Sequence, residues 1–480
     1  MYMTMGRLIR RILARVLAVV LFVEIAAFLL VPVFHSRQYA GMVYRNHVSS
    51  GRISDPVDLP AGERFRLIET DEDALEWRLR AIEAARHSIV ISTFDFEDND
   101  GGRLVMAYLL HAAERGVRVE ILLDGFYGFF NTFGEEHFKA LVKDPNIRIY
   151  KYNKVNAFLL YKSNYRMHDK YIIIDDKLYL LGGRNLSSEF LGDFTDKKHS
   201  LDRDILIYEP KRLRGADGTS LQALQNYWNT IRVLPTCKEY RYTRHSRKVE
   251  RAADTLRALY RDYAAMHPYE KTHWDSATSE AESVRLISGE RRPVNKEPLV
   301  FAQLYHEMEA GKDVLIQSPY IVCSTAMFRD LTFLTFDRER RISILTNAPE
   351  SGANPWGSMD LLNNRRLFLQ SGCELYELFN SDSMHTKTIL IDDDLSIIGS
   401  YNLDSRATYL DTEMMAAIRS KELNAELRET LQKDIDHSVH YDRAGRKTLG
   451  KDCVPRKLQG PRRFFYRIGR VVLPLFRQLL

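Results

Sequence analysis

One constellation of residues occurs twice in this chain. Met167 to Asn185 reads MHDKYIIIDDKLYLLGGRN and Met384 to Asn402 reads MHTKTILIDDDLSIIGSYN, so the spacing His-x-Lys-x4-Asp-x6-Gly-x-x-Asn recurs 217 residues apart. Such a pattern arises by accident on the order of once in 10⁴ chains of this length, and twice far more rarely. A chain that repeats itself at this distance is expected to fold as two similar units. In each copy His and Lys stand two apart in an apolar, β-branched run, so on a strand they project from one face. An Asp opens the following turn. A second apolar run then leads to Gly399, Ser400 and Asn402 in the later copy, as in a hairpin that returns small polar donors toward the same end. A surface hairpin with solvated His and Lys would account for one copy but not for a pair.

At these residues the chain resembles the phospholipase D superfamily, whose signature is this duplicated His-Lys-Asp motif. Gly101 to Asp124, GGRLVMAYLLHAAERGVRVEILLD, is similar to the family's usual prelude to its first motif. The resemblance implies an α/β fold of two lobes related by a pseudo-twofold axis, each a mixed sheet flanked by helices and each supplying one His-Lys pair. Within the superfamily, GGRN at the end of the first copy and GSYNLDSRATYLDTE in the later copy are most similar to bacterial cardiolipin synthases. So are ILTNAPES (Ile344 to Ser351) and GCELYEL (Gly372 to Leu378), and the likeness runs roughly from Phe65 to Ile418.

A phosphodiester is anionic and resists attack. Without a metal, its cleavage needs a nucleophile, a proton donor for the leaving alcohol and fixed positive charge around the phosphoryl oxygens. Two histidines, two lysines and two asparagines supply these. The resemblance implies a two-step, metal-independent route through a phosphohistidine, with the earlier histidine, His168, as nucleophile and His385 as general acid and base. Lys170 and Lys387 would clamp non-bridging oxygens, helped by Asn185, Asn402 and the Ser400 hydroxyl. Gly183 stands at the Ser400 position in the first copy, so the pocket is expected to be asymmetric. Asp175 and Asp392 belong to the motif and, by the resemblance, support the fold rather than touch phosphate.

Each histidine needs a partner that fixes its tautomer. Glu413 lies 28 residues after His385, where relatives carry an acid bonded to the ring, and is expected to serve His385. For His168 the best match is Asp204, 36 residues on, with Asp202 as its competitor.

The ends of the chain bear on the substrate. Val16 to Phe34 is an apolar run of nineteen residues broken only by Glu24 and Pro32, long enough to cross a bilayer. A cleaved signal peptide is the competing reading, but the run exceeds a usual apolar core and no clear small-x-small cleavage site follows. Arg7, Arg10, Arg11 and Arg15 before it favour a cytoplasmic N-terminus and an extracytoplasmic body, while Arg37, Arg45 and Arg52 on the other flank oppose that orientation. Several synthases of the resembling group carry two such spans or none. Pro461 to Leu480, PRRFFYRIGRVVLPLFRQLL, mixes arginines with large apolar residues. That composition suits a helix lying on a membrane surface, or a terminal helix docked on the body with its arginines in water.

The expected order is a basic segment 1–15, a transmembrane anchor 16–34, a tether 35–62, repeat one 63–236, an inter-lobe connection 237–297, repeat two 298–440 and a basic amphipathic tail 441–480. The expected function is a membrane-anchored phosphatidyltransferase of cardiolipin synthase type. It would move a phosphatidyl group to an alcohol, with phosphatidylglycerol as the preferred candidate. The alternative is a phospholipase D-type hydrolase of phospholipid or nucleic acid. A net charge of +5 among 28% charged residues does not demand nucleic acid, and no stacking aromatics are tied to the motifs, so phospholipid and membrane are the expected partners. The four cysteines are far apart and no His/Cys/Asp cluster has ligand spacing, so neither metal nor cofactor is expected.

Overall fold

The computed structural model describes residues 2–39, 62–156, 158–194, 199–214, 217–294, 296–337 and 339–480. Most of the expected tether, residues 40–61 with Arg45, Arg52, Pro56 and Pro60, lies outside them.

Two nine-stranded mixed sheets form the body. The first runs in space Ser279–Glu280, Arg64–Ile68, Asp204–Tyr208, Leu178–Gly182, Tyr171–Ile174, Ser88–Thr93, Arg118–Asp124, Ile147–Tyr152, Lys238–Tyr240. The second repeats that plan as Ser283–Ser288, Met414–Arg419, Leu395–Gly399, Thr388–Ile391, Asp313–Gln317, Arg341–Asn347, Glu374–Leu378, Ser438–Tyr441, Lys447–Leu449. The stretch 237–297, expected as a connection, supplies strands to both sheets, and the second sheet takes a strand from beyond residue 440.

The motif strands are apolar throughout because both of their faces are covered. Ile172 and Ile174 join the first lobe's core under its helices, whereas Tyr171 and Ile173 join a central core shared with Leu390, Ile398, Met414 and Ala416 of the second lobe. A strand buried on both sides loses the polar alternation of a surface strand, and every residue of Tyr171–Ile174 and Thr388–Ile391 is buried. The sheets thus pack against each other, with their motif ends on the dividing line.

Asp175 and Asp392 show why their type recurs. Both have left-handed backbone, φ 50° and 49°, which Asp tolerates better than most side chains. The Asp175 carboxylate accepts the amides of Arg86 (3.1 Å), His87 (2.8 Å) and Ser88 (2.9 Å), and Asp392 those of Lys312 and Asp313 (both 2.9 Å). Each aspartate therefore secures the start of the central strand of its lobe.

The N-terminal helix is continuous from Tyr2 to Tyr39, through Pro32, and its segment Ile9–Phe34 is long and apolar enough to cross a membrane. Its second half does not stand free. Glu24 accepts the Leu160 amide at 2.8 Å, and Asn164 Nδ2 donates to the Phe28 carbonyl at 2.8 Å, so the one acid in the span has a partner on the body.

Candidate active site

The two motifs are placed by backbone contacts across the lobes. Met167 bridges to Thr412, and the His168 amide donates to the Thr412 carbonyl (3.3 Å) and hydroxyl (3.1 Å). Across the axis, Ser383–Met384 pairs in parallel with Ser200–Leu201, and the His385 amide donates to the Leu201 carbonyl at 2.7 Å. The residue following each partner is an acid. Glu413 Oε1 lies 2.8 Å from His168 Nδ1, and Asp202 Oδ2 lies 2.5 Å from His385 Nδ1. Each imidazole is oriented by the other lobe.

Two expectations are corrected here. Glu413 serves His168 and not the histidine of its own repeat. Asp204 reaches neither histidine: its carboxylate takes Arg78 Nη2 at 2.9 Å and Arg184 Nη1 at 3.3 Å in a fully buried network. The reason lies in the backbone. Asp204 begins a regular strand opposite Gly182 and faces the helix layer, whereas Asp202 precedes that strand in an irregular pair of residues that turns it toward the second lobe. Asp202 holds the place in repeat one that Glu413 holds in repeat two.

The ammonium groups sit beneath the imidazoles. Lys170 Nζ donates to the His168 carbonyl at 2.8 Å, and Lys387 Nζ to that of His385. Lys387 Nζ also lies 2.8 Å from His385 Nδ1, but the Asp202 carboxylate can only accept, so His385 carries the Nδ1 proton and donates it in a hydrogen bond to Asp202. Nε2 is then left for chemistry on both rings. Burial pushes Lys170 down to about 7 and Lys387 down to about 8. Burial and the neighbouring lysines hold both imidazoles below the ordinary histidine range, His168 strongly so. The acids diverge: Lys387 and His385 hold Asp202 down at about 2 against its burial, while burial drives Glu413 well up.

The remaining expected contacts are distributed unevenly. Ser400 Oγ donates to Glu413 Oε2 and accepts the Met414 amide, so its hydroxyl orients the acid instead of standing free for phosphate. At the matching site a Cβ on Gly183 would collide with Asp202 Oδ1, so the shorter acid occupies the space a serine would need. Asn402 Nδ2 donates to the Tyr320 hydroxyl at 3.1 Å, while its Oδ1 and that of Asn185 are buried with no hydrogen-bond partner among the described residues. Asp175 and Asp392 are at the far ends of the motif strands and take no part.

Three aromatic residues were missed by motif reasoning. The Phe94 ring stands edge-on to His168 with centroids 5.2 Å apart, Phe190 lies 5.2 Å from His385, and Tyr320 braces Asn402. The tripeptide Ser-Pro-Tyr at 318–320 was visible after its strand, but only the folded chain brings it to Asn402. Among the described residues no group of His, Cys, Asp and Glu could hold a metal ion.

Residues 79–211 and 306–435, more than half of the chain, match the family described as Cardiolipin synthase, PLD-like domain. An uncharacterized protein of Helicobacter pylori (strain ATCC 700392 / 26695) is 24% identical over 453 residues, which cover 83% of this chain and 88% of that protein. Cardiolipin synthase C of Escherichia coli (strain K12) is 27% identical over 399 residues, covering 74% and 81%. Among solved structures, phosphatidylserine synthase of Haemophilus influenzae Rd KW20 superposes with a TM-score of 0.62 at 15% identity over 88% of this chain and 97% of that one, a likeness of fold.

Proposed function

This chain belongs to the cardiolipin synthase family of phospholipase D-like proteins, and we propose that it is a membrane-anchored phosphatidyltransferase that moves a phosphatidyl group to an alcohol, phosphatidylglycerol being the preferred acceptor. The observation that carries this reading is the crossed pair of acid-oriented imidazoles over two buried ammonium groups. Neutral His168 attacks phosphorus through Nε2, and the bond from phosphorus to the leaving alkoxide breaks as His385 Nε2–H delivers its proton to that oxygen. His385, now neutral, takes the proton of the incoming alcohol, whose oxygen attacks phosphorus and releases His168. Asp202, firmly ionised, favours the imidazolium that His385 must become, while burial and the neighbouring lysines keep His168 neutral for attack. Lys170 and Lys387 neutralise the phosphoryl oxygens, and the Nδ2 amides of Asn185 and Asn402 add N–H donors to them.

The anchor favours a lipid substrate because it holds the site at the bilayer, where the effective lipid concentration is high. In the orientation favoured by the N-terminal arginines, the span is single-pass with the body extracytoplasmic. Purified protein is to be incubated with phosphatidylglycerol, with and without phosphatidylethanolamine, and the lipid products identified by mass. Cardiolipin with released glycerol is the expected outcome. Phosphatidic acid alone would replace the transferase with a hydrolase.

A further inference from the structure

The C-terminal helix Gly460–Val472 has two faces of opposite character. Tyr466, Gly469 and Leu473 pack on the helix Pro355–Gln370, where a Cβ on Gly469 would collide with the Met359 sulfur. Arg462 and Arg470 tie that side to the body through backbone carbonyls of Pro349, Gly352 and Leu362. The arginines expected in water thus serve partly as struts. On the opposite side Phe464, Ile468, Val471 and Leu475 recur at i, i+4, i+7 and i+11 and are 66%, 51%, 78% and 75% exposed. Exposed Arg463 and Arg467 edge this stripe.

The stripe adjoins the span. The turn Arg477–Leu479, which follows the helix, packs on the N-terminal helix, as does Leu160–Asn164, where Glu24 is satisfied. Glu24 and Phe28 lie in the second half of the apolar segment Ile9–Phe34, so the body packs directly against the stretch long enough to enter a bilayer. A cleft of about 480 Å³ then runs from Phe465 and Tyr466 of the C-terminal helix to Ser200 and Ser383, the pair that sets His385.

We propose that the outer face of the helix Gly460–Val472 lies in the headgroup and acyl boundary of an anionic phospholipid leaflet, continuous with the N-terminal span, with Arg463 and Arg467 at the level of the phosphates. The helix thereby forms the rim over which lipid enters the cleft toward His385. The seat in the membrane stands apart from phosphatidyl transfer. The lipid route rests on that reading.

A nitroxide at Val471→Cys, with the half-exposed Cys453→Ser, tests the seat in the full chain reconstituted in vesicles of phosphatidylethanolamine and phosphatidylglycerol. The label is expected to collide more with oxygen than with a water-soluble nickel chelate, whereas a label at Arg261→Cys stays water-like. A water-like label at 471 overturns the proposal. Low collision with both probes together with dipolar broadening overturns it in favour of a second copy of the chain. For the route, Phe464→Ser with Ile468→Ser and Val471→Ser is expected to lower turnover of bilayer lipid about tenfold while leaving turnover in detergent micelles unchanged. Equal loss in both, or in neither, removes the route. Absence of turnover in the parent protein would count against the transferase reading and leave the label result standing.

Discussion

Glu413 orients His168, a residue 245 positions earlier and in the other lobe. Asp202 does the same for His385 in the opposite direction, so neither repeat holds both a motif histidine and the acid that orients it. Each lobe supplies one imidazole and the acid that orients its neighbour's.

This crossing separates two aspartates that stand only two residues apart. Asp202→Asn is expected to lower kcat by about 10³-fold, through loss of the charge that supports a His385 imidazolium, with the fold unchanged. Asp204→Ala leaves Arg78 buried without its carboxylate and Arg184 with Asp71 alone, and is expected to cost about 3 to 5 kcal/mol of stability. Denaturation and steady-state kinetics on both variants check this. A kinetic defect in the second with wild-type stability would reverse the assignment.

The division of labour between the histidines can be trapped. With a leaving group that needs no proton, His385→Ala is expected to accumulate a covalent phosphatidyl-enzyme, and His168→Ala is not. On natural lipid both should lose at least about 10³-fold in rate, because a lone nucleophile cannot protonate an alkoxide. The opposite trapping pattern would exchange the two roles.

The alkaline limb of the pH profile begins with loss of the His385 proton and is deepened by the lysines. Lys170 in the free enzyme loses its proton as pH rises through about 7 and Lys387 through about 8, so the charge that receives an anionic substrate disappears in that window. kcat/KM should fall as the depressed His385 loses its proton and fall further above about 7, while the acid limb, set by protonation of the more strongly depressed His168, lies below both. A kcat/KM that stays level across both lysine values would show that their charge is not needed for capture.

Gly183 offers a test against symmetry. Restoring the serine of the second copy, Gly183→Ser, would look conservative from the repeat alignment. In the folded site its Cβ collides with Asp202, so activity is expected to fall about 10²-fold as His385 loses its partner. Full activity in this variant would mean that Asp202 can move without harm.

Turnover is expected to survive EDTA, since the two buried ammonium groups already supply positive charge to the phosphoryl oxygens. Complete loss in EDTA, restored by a divalent ion, would end the phosphohistidine route.

By itself the sequence determined the duplication, the apolar strands of the two motifs, the hairpins they open and the apolar N-terminal helix, whereas His168, Lys170, His385 and Lys387, expected on strands, lie in the irregular segments just before Tyr171–Ile174 and Thr388–Ile391. The elements it determined follow from local pattern: a short β-branched apolar run, a turn-forming aspartate and a long apolar run leave little choice of conformation. Tertiary structure alone decided which acid serves which histidine. The sequence ranked Asp204 above Asp202 and kept Glu413 within its own repeat, because offsets along a chain carry no record of which lobe a side chain will face. That choice is made where Thr412 meets Met167 and Ser200 meets Ser383, in backbone pairings between segments about two hundred residues apart. The commitment of Ser400 to Glu413, the space under Gly183 and the seating of Glu24 against Leu160 arise the same way, from packing of one buried face on another.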